Sequence, residues 1–255
     1  MLLAIDIGNT QTKFGLFKES EAFEMLFHYP TKSLLSESCD DLSTKLGALG
    51  DVKQIGIASV VPEANQVLVK MVQEIHPNAK VKIVGNADTP FIKNHYEPSQ
   101  IGIDRLLGAY SAYHRWGKSA KKPVIVISFG TATTIDFVSK KGEYLGGMIT
   151  LGIASTAKAL ASTTSLLPEV ELQFPPHLIG RSTVESIQSG ILFGAVAMID
   201  GIVAKIQTEA FDAEAPIVIA TGGLAHIFDN RTKSITHIAP HLLIVGIAQL
   251  MKDGK

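Results

Sequence analysis

The chain has 255 residues, 46% apolar and 18% charged, with a formal net charge of -1, which is enough apolar material for one large domain or two small ones. No run of lysines or arginines supplies a nucleic-acid-binding face, since the densest basic stretch, around Lys118, Lys121 and Lys122, reads as a solvated loop. Cys39 is the one cysteine, so no internal disulfide is possible, and a strand in place of a leader at the N-terminus points to the cytoplasm. Short runs rich in Ile and Val predict strands at 2–7, 55–61, 81–84, 124–129 and 216–221, separated by helical spacing at 38–49, 64–75, 103–116, 154–162, 184–209 and 241–252. The class is α/β. The third helix starts after Pro98 and Gly102, and the fifth carries a capping box, Ser182 with Glu185. The apolar run "GILFGAVAMI" from Gly190 closes at Asp200, short of the roughly 20 residues a bilayer needs, so no membrane span is expected.

"IDIGNTQTKFGLF" from Ile5 is echoed by "ISFGTATTIDFV" from Ile127. Each reads as strand, glycine, small hydroxyl residues, strand. The echo predicts a duplication with two similar halves, 1–117 and 118–255, joined near the lysine-rich segment that ends in Pro123. A turn of Gly with Asn or Thr leaves backbone N–H groups unobstructed by Cβ atoms, and such amide arrays bind phosphate oxygens, with the hydroxyls of Thr10 and Thr12 as extra donors. Neither a Walker string nor a G-x-G-x-x-G after a strand is present. The alternative is an ordinary tight hairpin, for which Gly-Asn is common. Asp6 favours the phosphate reading, because a carboxylate ending an apolar strand is costly unless it is paired or holds a cation such as Mg²⁺ beside substrate phosphates. Lys13, past the turn, either supplies charge to the phosphates or pairs with Asp6.

"DIGNTQTK" at 6–13, "YEPSQIGIDR" at 96–105, "FGTATTID" at 129–136, "GGMITLG" at 146–152, "IGRSTVESIQSG" at 179–190 and "TGGLA" at 221–225 together resemble type III pantothenate kinases. The resemblance implies two ribonuclease-H-like halves of the actin-like ATPase fold with a nucleotide cleft between them, ATP and Mg²⁺ as cofactors, a homodimer, and phosphorylation of pantothenate. By motif match it assigns ATP binding to Asp6, Ile7, Gly8, Asn9, Thr10, Gln11, Thr12, Lys13 and Thr131, with Asp6 near Mg²⁺. It assigns the pantothenate pocket to Tyr96, Gly102, Ile103, Asp104 and Arg105, with Asp104 as general base, and a contact across the dimer interface to Thr183. The chemistry agrees: transfer to an alcohol needs positioning, charge neutralisation and a carboxylate near the hydroxyl proton, and Arg105 suits the substrate's carboxylate.

Structural alternatives stand beside these roles. Asp104 suits the first turn of a helix in any case, Thr183 adjoins a helix cap, and Tyr96 reads equally as a half-buried aromatic. Gly190, Gly194, Ala197 and Gly201 form a small-residue stripe suited to packing on another helix, or to a dimer contact. No histidine is assigned a role; Pro240 spoils a metal face between His237 and His241. Two positions depart from the family pattern. Ser128 stands where an aspartate associated with a monovalent cation is usual, so a looser K⁺ or NH₄⁺ requirement is expected, and Leu151 replaces a proline, altering loop stiffness. These departures keep two rivals in view, a catalytically weak nucleotide-binding accessory factor for transcription and a kinase acting on a sugar or another acid.

Overall fold

The computed structural model describes residues 1–18, 23–35, 39–91, 93–97 and 100–253. Pro98 and Ser99 of the "YEPSQIGIDR" motif, and Ser38 at the start of the first expected helix, lie outside the described residues. In chain order the elements are β1 (Leu2–Ile7), β2 (Gln11–Phe17), β3 (Phe23–Pro30), α1 (Thr31–Leu34), α2 (Asp40–Gly47), β4 (Gln54–Ser59), α3 (Pro62–Ile75), β5 (Lys80–Ile83), β6 (Lys93–Asn94) and α4 (Ile103–Ala112). There follow α5 (Lys118–Ala120), β7 (Val124–Phe129), β8 (Ala132–Val138), β9 (Glu143–Leu151), α6 (Ile153–Thr163), α7 (Thr183–Ala210), β10 (Ile217–Thr221), β11 (His237–Ile238) and α8 (Leu242–Asp253).

One compact unit comprises Met1–Phe91, Tyr96–Ser111 and His241–Lys255. Its five strands run in the order β3-β2-β1-β4-β5, with β1 antiparallel to β2 and parallel to β4. All of β1 is buried, because both faces of the sheet are covered. Leu3, Ile5 and Ile7 pack with Leu42, Leu46, Leu68 and Val72 from α2 and α3, while Leu2 and Ala4 pack with Leu107 of α4 and Ile244, Ile247 and Met251 of α8. A row of small residues lets α8 lie close. Gly15 and Gly56 flank Ala4 in register, and a Cβ on them would fall 2.4 Å from Ile244 and 2.6 Å from Ile247.

The other unit comprises Ile92–His95 and Ala112–Pro240. Its sheet runs β11-β10-β7-β8-β9-β6, and β7 is antiparallel to β8 and parallel to β10. Leaving aside the short β6, the order repeats that of the first sheet with the same directions, so the duplication is a property of the fold. The long helix α7 buries Ile187, Ile191, Leu192, Ala195, Ile199 and Val203 against this core.

The helices fall where the apolar spacing placed them, to within two residues at the start of α3, where Pro62 occupies the first turn without cost. The region 103–116 is helical throughout, but its last part widens to a π-helix at Tyr113–Gly117, where Gly117 passes so close to Val124 that a Cβ would sit 2.6 Å away. The compact units differ from a division at 117/118 in one respect above all: α8 returns to the first unit, because Ile244, Ile247, Leu250 and Met251 complete the core over Ala4.

Candidate active site

The β1–β2 turn is held from below. Gly8 N–H donates to Gln11 O (3.1 Å), and a Cβ on Gly8 would meet that same oxygen at 3.1 Å, which accounts for the glycine by close approach. Thr31, at the start of α1, donates from its hydroxyl to Gly8 O (2.7 Å) and from its amide to Thr10 O (3.1 Å). Thr12 is fully buried and its hydroxyl meets that of Thr31 at 3.0 Å. The Thr12 side chain therefore braces the turn instead of offering a phosphate donor, whereas Asn9, Thr10 and Gln11 are exposed at the tip. Nothing in the local sequence around Thr31 signals this role; it depends on β3 returning alongside β2.

Asp6, Lys13 and His28 are direct register partners across β1, β2 and β3, so their side chains share one face, that of Ala4 and α8. Asp6 is 6% exposed and accepts no hydrogen bond from any described residue. Burial pushes its carboxyl up to about 6, against the opposing pull of the Lys13 charge and with a further push from Asp104. Asp104 thus lies within electrostatic range of Asp6 on this face. It occupies the first turn of α4, where its Oδ1 accepts the Arg105 amide at 2.9 Å. Burial raises its carboxyl above the usual range, with that hydrogen bond and the Arg105 charge opposing. The helix-terminal role and the acid–base role thus coincide in one residue.

Arg105 is 8% exposed and its guanidinium lies 5.6 Å from the centroid of the Tyr96 ring, a cation–π arrangement. Gly102 gives room to the Asp104 carboxylate, since a Cβ there would stand 2.5 Å from Oδ1. Ile103 is buried in the core with Leu107 and Tyr110, which leaves only its backbone for a ligand.

The second turn repeats the first with different parts. Its pairing is Phe129 with Thr133, where the first turn pairs Ile7 with Thr12, so it is one residue shorter. Asp6 and Lys13 of the first hairpin therefore correspond to Ser128 and Thr134 of the second, which also face one another. The brace here comes from the start of α6: Gly152 N–H and Ser155 Oγ donate to Thr131 O at 3.1 and 2.9 Å. Gly152 admits no side chain, its Cβ position lying 2.3 Å from Gly130 O. Thr131 itself is exposed at the tip.

Thr183 begins α7 and is exposed. Ser182 caps the helix by accepting the Glu185 amide at 3.2 Å, and the Glu185 carboxylate accepts the Arg181 amide at 2.7 Å. Thr183 lines a groove of about 550 Å³ with Leu160, Leu167, Ile191, Gly194 and Met198. Leu151, which also lines it, is exposed, as are Met148, Ile149, Leu166, Leu178, Ile179 and Val184. A Cβ on Gly190, Gly194 or Gly201 would meet nothing within 4 Å, so the small-residue stripe has no packing partner among the described residues. By length and composition α7 would also cross a bilayer, a property it shares with core helices of soluble proteins.

Residues 2–205 match the family model described as type III pantothenate kinase. Among curated relatives, the type III pantothenate kinase 1 of Symbiobacterium thermophilum is 39% identical over 97% of this chain and 94% of its own. That of Anaeromyxobacter sp. strain K is 37% identical over the whole of both. Among solved structures, a protein from Campylobacter jejuni assigned to the Baf family of transcriptional activators superposes with a TM-score of 0.61 at 20% identity, covering 99% and 98% of the two chains. A glucokinase from an Antarctic psychrotroph gives 0.52 at 10% identity, over 99% and 98%. The activator of 2-hydroxyisocaproyl-CoA dehydratase from Clostridium difficile gives 0.50 at 13%, over 99% and 96%. At these identities the structural likeness establishes the fold, that of the sugar-kinase and actin-like ATPases.

Proposed function

Since the chain belongs to the type III pantothenate kinase family and phosphorylates pantothenate with ATP in coenzyme A biosynthesis, we propose that the polar face of its first unit performs the transfer. What supports this most is that Asp6, buried on β1, and Asp104, partly buried at the start of α4, come close enough for the Asp104 charge to raise the proton affinity of Asp6.

Asp104 is the general base. Its raised proton affinity brings a carboxylate nearer to the operating pH, which improves it as an acceptor for the hydroxyl proton. Arg105, clamped by Tyr96, takes the carboxylate of pantothenate in two parallel hydrogen bonds, and Gly102 with the Ile103 backbone shapes the same pocket. The turn from Ile7 to Thr12 takes the phosphates on its exposed tip, Lys13 adds positive charge, and Thr131 contributes a second, neutral contact to them. Asp6 fits a divalent cation: it is a buried carboxylate with no hydrogen-bond donor, the state a hard cation relieves. Mg²⁺ held there would neutralise charge on the triphosphate.

Two further parts of the reading concern the second unit. Ser128 offers only a neutral oxygen at the position assigned to a monovalent cation, so the need for K⁺ or NH₄⁺ is loose. A second copy of the chain covers the groove and stripe on α7, and Thr183 reaches the partner's substrate. The enzyme is cytoplasmic, and neither nucleic acid nor membrane takes part.

Purified protein given Mg-ATP and pantothenate, with ADP release followed, tests the reading. Turnover is expected, and Asp104→Asn should abolish it while nucleotide binding persists. Turnover undiminished in that variant would remove Asp104 from the role of base.

A further inference from the structure

Three basic side chains crowd the face that carries Asp6. Lys13 and His28 are register partners on β2 and β3, and His241 immediately precedes α8, which packs over the same face. The charge of Lys13 reaches both imidazoles, and that of His28 reaches His241. His28 is exposed and Lys13 and His241 are partly buried, and none of the three donates or accepts a side-chain hydrogen bond, or enters an ion pair, with any described residue. The His241 ring packs tilted against Phe23, 5.4 Å between centroids, yet its Nδ1 is buried without a partner. The acidic groups facing them are Asp6 from β1 and Asp104 from α4, the latter already engaged by the Arg105 amide; β4 contributes only Ala58 to this row.

We propose that Lys13, His28 and His241 together form a receptor for the polyphosphate of the nucleotide, the two imidazoles being phosphate contacts that the turn itself does not supply. The inference rests on reading the β1–β2 turn as the phosphate loop. It carries a consequence that a purely structural role would not. In the empty site burial and the Lys13 charge hold both histidines below their ordinary proton affinity, so at neutral pH they are uncharged. A polyanion reverses the local field, and each imidazole takes up a proton as it binds.

Calorimetric titration of the wild-type enzyme with Mg-ATP at pH 7, in buffers of different ionisation enthalpy, reads the uptake directly. Net proton uptake is expected, and it should vanish in the His28→Gln/His241→Gln double variant. That variant should bind Mg-ATP about tenfold more weakly at pH 6 and less than about twofold more weakly at pH 8.5, at roughly threefold per partly exposed charge contact. His28→Arg, which fixes the charge, should bind more tightly than wild type at pH 8.5 and lose part of the pH dependence. A second titration with inorganic tripolyphosphate separates the sources: the same uptake there places the contact on the phosphates, and its absence there overturns the proposal. No uptake with Mg-ATP, or uptake unchanged in the double variant, also overturns it. If the wild type phosphorylates pantothenate in that event, the kinase reading survives; if it neither binds Mg-ATP nor turns over, both fall.

Discussion

Replacing Asp6 with asparagine should make the metal-free protein more stable at neutral pH and less stable in acid. The unfolded carboxyl titrates near 3.8 and the folded one near 6, so the folded state holds the proton more tightly. The cost of the buried charge is absent below about 3.8 and complete above about 6. Two pKa units correspond to about 3 kcal/mol, an upper figure for the destabilisation that the charge causes at pH 8. Asparagine removes the charge but leaves a buried amide without a partner, which costs about 1–2 kcal/mol. The net expectation is a gain of about 1–2 kcal/mol at pH 8 that changes sign by pH 4.5. Urea unfolding of both proteins, treated with a chelator so that no cation occupies the site, measures it. The difference between the two curves cancels the titration of His28 and His241. A difference that stays constant from pH 8 to pH 4.5 would refute the claim that Asp6 is an uncompensated buried charge. Turnover by the variant should be lost throughout, because the group that destabilises the empty protein is the one assigned to the cation.

Arg105→Lys should raise the KM for pantothenate about tenfold with a smaller change in kcat, since an ammonium cannot make the paired hydrogen bonds of a guanidinium; an unchanged KM would detach Arg105 from the substrate carboxylate. Titrating KCl against NaCl at fixed ionic strength should show weak activation, and strong saturable K⁺ activation would overturn the reading of Ser128. The wild type should sediment as a dimer, and Gly194→Glu, which puts a charge on the uncovered stripe of α7, should yield a monomer with little activity. A monomeric wild type would leave that face unexplained by self-association.

The sequence made the framework legible because both hairpins carry the same glycine and hydroxyl pattern, and because the parallel strands are continuous apolar runs. The motif match also named Asp6 and Lys13, which face one another across β1 and β2, and Asp104, whose charge reaches Asp6. What it missed has one physical cause, long-range pairing. β3 alternates weakly, since several of its residues are only partly buried, so neither His28 nor Thr31 had a visible neighbour. Thr12 looked like a donor because its burial depends on Thr31, 19 positions away. His241 was read against His237, four residues before it, whereas the return of α8 brings its ring against Phe23 of β3 and within reach of the Lys13 charge.

The repeated hairpins also explain how two copies of one fold divide their work. The corresponding positions are charged in the first, Asp6 facing Lys13, and neutral in the second, Ser128 facing Thr134. Under the proposed reading, charge at the first hairpin is tolerated because basic side chains from β3 and from the residue before α8 face it, with the incoming anion as their partner. The second has no such row: the carboxylate nearest along the same face, Asp136, is 2% exposed and accepts the Tyr144 hydroxyl at 2.7 Å. That acid is therefore satisfied within the unit, while the one at Asp6 is not. A buried carboxylate without a donor is costly in the empty fold and is relieved by a cation, which favours the first copy over the second for the proposed chemistry.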